Sequence, residues 1–336
     1  MRPAMTPVIQ RRALSALVLA ALPGLAAAQG RGDPLPSWRE GGTKRAILDF
    51  LRATTTPGSA DFVAPAERLA VFDNDGTLWV EQPLYAQFAF ALDRVRALAP
   101  QHPEWAMRDP FRAVLANDMH ALVQTGEHGL AEIIAVTHTG MSPEVFRQTA
   151  LAWLATARHP RFARPYTECI YQPMLEVLAL FRARGFRTCI VSGGTLEFMR
   201  PWAEQAYGVP PDQIVGTTFK LHYGLANGRG ELTTLSEVDL LDDGPGKPAG
   251  IARAFGRRPI AAFGNSDGDY EMLEYTTTGP GRRLGLIVHH DDAAREYAYD
   301  RQSHIGRLDR ALTAAPQQRW LVTSMRDDWA RVFPDV

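Results

Sequence analysis

Two aspartates stand two residues apart in the stretch VFDNDGTLW, residues 71–79. Asp73 and Asp75 follow an apolar run, where burial makes a carboxylate costly and two like charges repel. Ligands of an open parallel sheet bind outside the carboxyl ends of the strands, and Mg²⁺ at such an end would neutralise both acids with hard oxygen ligands. The alternative is an ordinary turn capped by an aspartate, since Asp-Gly pairs are common turn formers.

Two further stretches contain residue types that bind phosphate. In SGGT, residues 192–195, a helical pattern follows an apolar run, so backbone N–H groups and the hydroxyl of Ser192 suit phosphate oxygens, with Gly193 beside it. In GKPAG, residues 246–250, Lys247 stands just ahead of a helical pattern as a point charge for a phosphoryl group. Each stretch alone is compatible with a turn or a solvated lysine.

A fourth stretch, GNSDGD at residues 264–269, follows another apolar run and is rich in oxygen ligands. Asn265, Asp267 and Asp269 are its candidate metal ligands. A capped helix is the plain alternative for this stretch. The four stretches together favour phosphate chemistry assisted by a divalent cation.

The elements that must position these residues alternate between strand and helix. Five short apolar runs predict strands within residues 68–76, 186–194, 213–219, 259–269 and 283–292. Helical patterns at 173–185 and 247–256 each end at a glycine. This alternation predicts an α/β fold with a doubly wound parallel sheet. Asn227–Gly228 predicts a β-hairpin within residues 225–232.

No strand-like run occurs from about residue 84 to 165. A single helix beginning at Asp109–Pro110 is predicted from one apolar face, formed by Phe111, Val114, Leu115, Met119 and Leu122. Ser142–Pro143 predicts the start of another helix. We therefore predict a helical cap domain over residues 84–165, inserted into a core domain made of residues 29–83 and 166–336.

Residues 1–28 have the pattern of a secretory signal, with a basic start, an apolar stretch and small residues before the predicted cleavage after Ala28. This predicts an exported, periplasmic protein. Removing the segment leaves 33 basic residues against 37 acids, because three of the 36 lie within it, and the net charge becomes −4. The mild acidity argues against a nucleic-acid partner, and the apolar stretch is too short to predict stable membrane insertion.

The chain contains two cysteines, Cys169 and Cys189. An exported protein has access to disulfide chemistry, but Cys189 lies in the apolar run TCIV, where a buried thiol is an equal explanation. We predict that both are unpaired.

The motifs DNDGT, SGGT, GKPAG and GNSDGD together resemble those of the haloacid dehalogenase superfamily of hydrolases. Within it, the chain most resembles the phosphoserine-phosphatase-like branch, including exported phosphorylcholine-phosphatase-like enzymes. The resemblance implies an aspartyl-phosphate mechanism, with Asp73 as nucleophile and Asp75 as general acid and base. It implies further that the phosphoryl group is bound by Thr77, Ser192, Gly193 and Lys247.

The resemblance also implies that Mg²⁺ is held by the Asp73 carboxylate, the Asp75 backbone carbonyl and the GNSDGD loop. In the family this loop usually begins with Gly-Asp, whereas Asn265 occupies the aspartate position here. A neutral amide oxygen binds a hard cation more weakly than a carboxylate does. The third ligand is therefore open among Asn265, Asp267 and Asp269.

Substrate selection is predicted to involve Trp79 and Glu81, which follow the nucleophile closely. Glu81 would pair with an ammonium group and Trp79 would stack on a cation, as an amino-alcohol phosphate requires. A hinge salt bridge and a core tryptophan explain the two residues equally well. The stretch VHHDDAAREYAYD, residues 288–300, predicts a rim hydrogen-bond cluster followed by a helix face that includes Tyr297 and Tyr299.

The leading hypothesis is an exported, Mg²⁺-dependent phosphomonoesterase acting on a small phosphorylated metabolite. A dehalogenase uses the same nucleophile on carbon but needs neither a metal nor an acid two residues on, so Asp75 argues against it. A phosphotransferase, which passes the phosphoryl group to an alcohol, is a second enzymatic alternative. A catalytically silent binding protein is the alternative from another class, and Asn265 is the feature that favours it.

Overall fold

The computed structural model describes residues 32–335. The predicted signal segment lies outside the described residues, so cleavage after Ala28 and export stay predictions.

The described chain contains a mixed sheet with helices on both sides. Its strands are β1 Leu69–Phe72, β2 Arg187–Thr195, β3 Ile214–Ala226, β4 Arg229–Leu240, β5 Ala261–Gly264, β6 Leu284–Asp291, β7 Ala298–Tyr299 and β8 Leu321–Ser324. Their order in the sheet is β4-β3-β2-β1-β5-β6-β7, with β8 also paired to β6. Pairing is parallel except between β3 and β4 and between β6 and β7.

The helices are α1 Gly42–Thr55, α2 Ala86–Leu98, α3 Phe111–Leu115, α4 Met119–Gln124, α5 Gly126–His138, α6 Pro143–Thr156, α7 Gln172–Ala183, α8 Leu196–Tyr207, α9 Gly246–Phe255, α10 Tyr270–Thr277, α11 Arg310–Gln318 and α12 Met325–Asp328. The predicted doubly wound α/β fold is confirmed. Helices α7 and α9 end as predicted, followed by Gly185 and Gly256 in the left-handed region.

Strand β1 shows why helices cover both faces of the sheet. Successive side chains of a strand point to opposite faces. Ala70 and Phe72 join one apolar cluster with α1, α7 and α8, whereas Leu69 and Val71 join another with α9, α10 and α11. The strand is buried throughout, which is why its sequence reads as a continuous apolar run.

The hairpin predicted at Asn227–Gly228 joins β3 to β4. Both turn residues have positive φ, 52° and 76°, as a two-residue hairpin turn with matching twist requires. The hairpin projects beyond the parallel sheet, and most of its residues past Thr218 are exposed.

Residues between α2 and α6 form helices and turns, apart from one isolated bridge between Arg158 and Pro165. The prediction of one helix over residues 111–122 was wrong. Asn117 has a φ of 55°, which interrupts the helix, and Asp118 caps α4 by accepting a hydrogen bond from the Ala121 N–H. Both residue types favour caps and turns over helix interiors, which accounts for the break.

The predicted cap domain is not separated cleanly from the core by its contacts. Phe90 of α2 and Phe146 of α6 pack in the same apolar cluster as Phe198 of α8. Ser142 caps α6 and Pro143 is its first residue, as predicted. The boundaries at residues 84 and 165 stay a prediction.

Two features near the C-terminal end differ from expectation. Residues 297–299 were predicted to be helical, but Ala298 and Tyr299 form β7, paired antiparallel with the end of β6. Strand β8 was not predicted. Both short strands depend on pairing with β6, which a local sequence pattern does not reveal.

Cys169 and Cys189 are both buried and unpaired, as predicted. Burial raises the pKa of each thiol to about 12, so neither is a reactive thiolate. Among residues 32–335, no helix has both the length and the apolar character needed to cross a membrane.

Candidate active site

Strand β1 delivers Asp73 to the carboxyl edge of the sheet. The Asp73 N–H donates to the Phe263 carbonyl at 2.9 Å, which continues the pairing between β1 and β5 past the end of β1. The chain then turns sharply, with the Asn74 carbonyl accepting from the N–H groups of Thr77 and Leu78. Asp73 is 6% exposed, so the carboxylate lies almost wholly within the protein.

Lys247 links two of the predicted motifs. It lies in the first turn of α9 and is 2% exposed. Its Nζ donates to Asp73 Oδ1 at 2.7 Å and to Asp269 Oδ1 at 2.6 Å. One buried ammonium group therefore holds the ends of β1, α9 and the loop after β5 together.

The electrostatics of this cluster reflect burial against mutual charge. Burial lowers the pKa of Lys247, but Asp269 and Asp73 more than offset it, so the net shift is upward and the ammonium stays charged. Burial, followed by the charge of Asp269, raises the pKa of Asp73 well above its usual value, against the opposing effect of Lys247. The site thus holds more negative charge than one lysine neutralises.

Asp75 lies beside the nucleophile candidate and is partly exposed. Its Oδ1 accepts from Trp79 Nε1 at 2.8 Å. Burial raises the pKa of Asp75, and the bond from Trp79 partly opposes that shift. A carboxyl group with a raised pKa is suited to donate a proton and later to accept one.

Trp79 is 1% exposed and stacks on Trp202, with ring centroids 4.4 Å apart. The structure therefore places it in the core, where it orients Asp75, and not in an open pocket. Glu81 is likewise buried, at 2% exposure, with its Oε1 accepting from Asn265 Nδ2 at 2.7 Å and from the Tyr299 hydroxyl at 2.8 Å. Their predicted contacts with a cationic substrate stay predictions.

The GNSDGD loop divides its polar side chains between different tasks. Asp269 is fully buried and bonds Lys247 through Oδ1, while its Oδ2 accepts from the N–H groups of Asn265 and Ser266. Asp267 Oδ1 accepts from the N–H groups of Asp309 and Ala311, so it anchors α11. Asn265 alone of the three candidates has its side-chain oxygen, Oδ1, bonded to the nucleophile loop, through Thr77 Oγ1 at 2.9 Å.

The SGGT motif forms the end of β2 and not a loop. Ser192 is buried, and its Oγ accepts from the Gly194 N–H at 3.1 Å. Gly193 is exposed, and its carbonyl accepts from Thr217 Oγ1. Thr77 is fully buried and bonds Asn265, so of the predicted phosphate-binding residues Gly193 is the most open.

Comparison with known proteins places this geometry. A sequence profile of the haloacid dehalogenase-like hydrolases matches residues 70–274, which include all four motifs. The chain belongs to the haloacid dehalogenase-like hydrolase family. No curated protein sequence matches the chain.

Solved structures support the fold of this hydrolase. A conserved protein of unknown function from Anaerococcus prevotii is 15% identical, with 74% of this chain and 86% of that chain covered and a TM-score of 0.50. A protein of unknown function from Bordetella pertussis is 16% identical, with 76% and 97% covered and a TM-score of 0.49. A phosphoserine phosphohydrolase-like protein from Francisella tularensis is 16% identical, with 66% and 87% covered and a TM-score of 0.38. At these identities the likeness concerns the fold alone.

The hydrolase site includes residues that sequence reasoning missed. Gln87 in the first turn of α2 reaches the end of β2, where its Oε1 accepts from the Thr195 N–H at 2.8 Å and its Nε2 donates to Thr195 Oγ1 at 2.7 Å. Gln87 Nε2 also lies 2.9 Å from His138 Nε2. No short-range signal in the sequence marks Gln87, because its partners lie 51 and 108 residues away.

His138 completes a directed chain of hydrogen bonds. Thr137 Oγ1 donates to the Ile133 carbonyl and therefore accepts from His138 Nδ1, which leaves His138 Nε2 to accept from Gln87. Burial, with a smaller effect of Arg94, lowers the pKa of His138 to about 3, so the ring is neutral as this chain requires. The helical segment thus holds the phosphate motif through Gln87.

His290 was expected at the rim but lies behind the nucleophile loop. Its Nε2 is 2.7 Å from the Gly76 carbonyl, which makes Nε2 the donor. Its Nδ1 is 3.2 Å from Glu296 Oε2, and Glu296 Oε1 accepts from the Tyr171 hydroxyl. The histidine in VHHDD could have been singled out from the sequence as a buried partner, but its target, a backbone carbonyl, could not.

The donor set of the hydrolase suits Mg²⁺. Asp73, the Asp75 carbonyl and Asn265 Oδ1 supply hard oxygens at one edge of the sheet, and few protein carboxylates with added water and phosphate is the usual shell of this ion. Across residues 32–335, no group of three or more acidic, histidine or cysteine side chains could hold a metal unaided. Buried carboxyl groups with raised pKa values are the groups that a cation returns to the charged form.

Proposed function

We propose that this hydrolase is a Mg²⁺-dependent phosphomonoesterase that acts through an aspartyl phosphate on Asp73. The observation that carries the proposal is the buried pair of Asp73 and Lys247, 2.7 Å apart, with the raised-pKa carboxyl of Asp75 two residues away. A nucleophile, an acid and a fixed cation at one point are the parts that phosphoryl transfer to a carboxylate requires.

In the first step the Asp73 carboxylate attacks phosphorus and the bond from phosphorus to the leaving oxygen breaks. Lys247 bonds Oδ1, and Oδ2 has no hydrogen-bond partner among the described residues, so Oδ2 is the attacking atom. Asp75 gives its proton to the leaving oxygen, so the alcohol departs neutral.

In the second step water attacks the phosphorus of the aspartyl phosphate. Asp75, now ionised, takes a proton from that water, and the bond between phosphorus and Asp73 breaks to restore the carboxylate. Trp79 Nε1 holds Asp75 at 2.8 Å in both steps, so the same carboxyl group can serve as acid and then as base.

Charge on the transferring phosphoryl group is stabilised by Lys247 and by backbone N–H groups at Gly193 and Gly194. Bound Mg²⁺, held by Asp73, the Asp75 carbonyl and Asn265, would supply Lewis-acid stabilisation of a phosphoryl oxygen. The substrate is proposed to be a small phosphorylated metabolite. The location is proposed to be the periplasm, on the evidence of residues 1–28 alone.

The test is hydrolysis of para-nitrophenyl phosphate and a panel of phosphomonoesters by the wild type and Asp73→Asn. We expect wild-type turnover that requires Mg²⁺ and is lost with EDTA, and a fall of about 10³-fold or more in Asp73→Asn. Asp49→Asn, an exposed change on α1, is the matched control. Normal turnover by Asp73→Asn would contradict the covalent mechanism.

The same panel separates the alternatives. Halide release from a haloacid without metal would indicate a dehalogenase. Phosphoryl transfer to added alcohol in preference to water would indicate a phosphotransferase. An absence of hydrolysis across the panel in the presence of Mg²⁺ would favour the silent binding protein.

A further inference from the structure

The Asn265 amide is held at both ends within the protein. Its Oδ1 accepts from Thr77 Oγ1 at 2.9 Å and its Nδ2 donates to Glu81 Oε1 at 2.7 Å. Asn265 is 1% exposed, Glu81 2% and Thr77 0%. Three buried side chains from the nucleophile loop and the loop after β5 thus form one connected set.

Glu81 is itself fixed by a third segment of the chain. The Tyr299 hydroxyl, on β7, donates to the same Oε1 at 2.8 Å. The Tyr299 ring stacks on His290, with centroids 4.5 Å apart, and His290 donates to the Gly76 carbonyl. The stretch 288–300, which the mechanism does not use, therefore supports the nucleophile loop from behind.

Backbone encloses the contact between Glu81 and Asn265 on two sides. A Cβ atom at Gly76 would lie 2.1 Å from Asn265 Nδ2 and 2.4 Å from Glu81 Oε1, and one at Gly306 would lie 1.9 Å from Glu81 Oε1. Gly76 also has a positive φ of 73°. Neither side chain has room to move to another partner while the loops keep their places.

The two ends of an amide differ chemically in what they can bind. Only the oxygen is a ligand for a hard cation, and a rotation of the amide by half a turn would present N–H groups instead. A carboxylate beside the amide accepts hydrogen bonds only, so it draws Nδ2 to itself and directs Oδ1 the other way. Thr77 uses one lone pair of Oδ1, and the second is available to a metal.

We propose that Glu81 is a positioning residue that orients Asn265 so that its amide oxygen serves the metal site, and that Tyr299 holds Glu81 in place. The inference rests on the proposed function, because it assigns Asn265 to the Mg²⁺ shell. It also explains the departure of this loop from the family pattern: an asparagine pairs with Glu81 as donor to acceptor, whereas an aspartate there would set two carboxyl groups against each other.

The decisive experiment exchanges the two partners. Mg²⁺ binding to the full chain is measured by titration calorimetry for Glu81→Gln, Asn265→Asp and the double variant, with thermal unfolding in the absence of metal. We expect Glu81→Gln to weaken Mg²⁺ binding by about 10-fold or more, as for other residues that orient metal ligands. We expect Asn265→Asp alone to lower the metal-free melting temperature, because two buried carboxyl groups then meet without a donor.

The double variant restores complementarity, since the glutamine amide introduced at position 81 can donate to the carboxylate introduced at position 265. We expect its Mg²⁺ affinity to recover to within about threefold of the wild type, a coupling that two independent sites would not show. Unchanged Mg²⁺ affinity in Glu81→Gln, or a double variant that binds no better than Glu81→Gln, would overturn the inference.

Tyr299→Phe removes one hydroxyl and keeps the stacked ring, so it tests the proposal without a change of charge. We expect weaker Mg²⁺ binding with kcat at saturating Mg²⁺ nearly unchanged, whereas Tyr223→Phe on the exposed hairpin should match the wild type. Equal Mg²⁺ affinity in Tyr299→Phe and the wild type would remove Tyr299 from the proposal. A wild type that neither binds nor requires Mg²⁺ would instead contradict the proposed function.

Discussion

The two ends of the sheet carry opposite charges. At the carboxyl end, four buried or partly buried acids surround a single cation: Asp73, Asp75, Glu81 and Asp269 around Lys247. At the opposite end, a cavity of about 520 Å³ is lined by Arg68, Arg182, Arg187 and Arg257. None of the described residues that line this cavity carries a carboxylate.

The two ends also differ in how the charges are satisfied. Arg68 donates to the carbonyls of Val63 and Arg184 at 2.9 and 2.8 Å, and Arg187 donates to the Asp212 carbonyl at 3.2 Å. At the carboxyl end the ions bond one another within the protein. Removing one partner of a buried ion pair leaves an uncompensated charge, whereas removing a solvated guanidinium does not. Substitutions should therefore have large effects at one end and small effects at the other.

The largest effect is expected for Lys247→Met. It leaves Asp73 and Asp269 buried without their shared cation, so we expect kcat to fall by about 10³-fold or more and the metal-free protein to lose about 3–5 kcal/mol of unfolding free energy. Turnover assays and urea unfolding measure the two. Lys220→Met, on the exposed hairpin, is the matched control and should behave as the wild type. A fully active Lys247→Met would remove the basis of the comparison.

Asp242 tests the carboxyl end in a second way. It is fully buried just ahead of α9, and neither of its carboxyl oxygens has a hydrogen-bond partner among the described residues. Burial, opposed by Lys247, raises its pKa from 3.8 to about 7. The native state therefore binds a proton that the unfolded state releases between these values, so this group makes unfolding free energy fall as pH rises towards 7.

Asp242→Asn removes that titration. We expect the difference in unfolding free energy between variant and wild type to shift in favour of the variant by about 2–3 kcal/mol from about pH 5 to about pH 8. Urea unfolding at several pH values measures it, and the slope with pH is independent of any constant cost of the amide. Parallel pH profiles for the two proteins would show that Asp242 is ionised when folded.

Gln87→Ala is expected to have a smaller effect. It removes the partner of the Thr195 N–H and of His138, so the end of β2 loses its tie to the helical segment. We expect kcat/KM to fall by about 10- to 100-fold, with modest loss of stability. Gln87→Glu keeps the acceptor for Thr195 but cannot donate to the neutral His138, so activity between those of the wild type and Gln87→Ala would support the full chain. Wild-type activity in both variants would contradict it.

The sequence predicted the position of the site better than its internal bonding. Each motif follows an apolar run, and parallel strands end at one edge, so Asp73, Ser192 and Asn265 were expected to meet there. Strands as short as β7 were missed because Tyr299 gains its strand geometry from pairing with β6. The break at Asn117 was missed because the apolar face on both sides of it keeps a helical period.

The bonds within the site depend on contacts that no local pattern records. Asn265 meets Glu81 across 184 residues, and Gln87 meets Thr195 across 108. The sequence shows which groups are available, but which end of an amide faces which neighbour depends on the packing of three segments. For the same reason a chain without any basic run assembles four arginines around one cavity.

The smallest effect is expected for Arg187→Ala, at the far end of the strand that carries Ser192. About five residues of β2 separate the two, about 17 Å at the rise of a strand. Two charges at that distance in water interact by about 0.2 kcal/mol, and physiological salt screens them further. We expect kcat and KM within about twofold of the wild type. A fall beyond about tenfold, with unchanged melting temperature, would show that the arginine end and the catalytic end are coupled through β2, and the two could no longer be treated as separate.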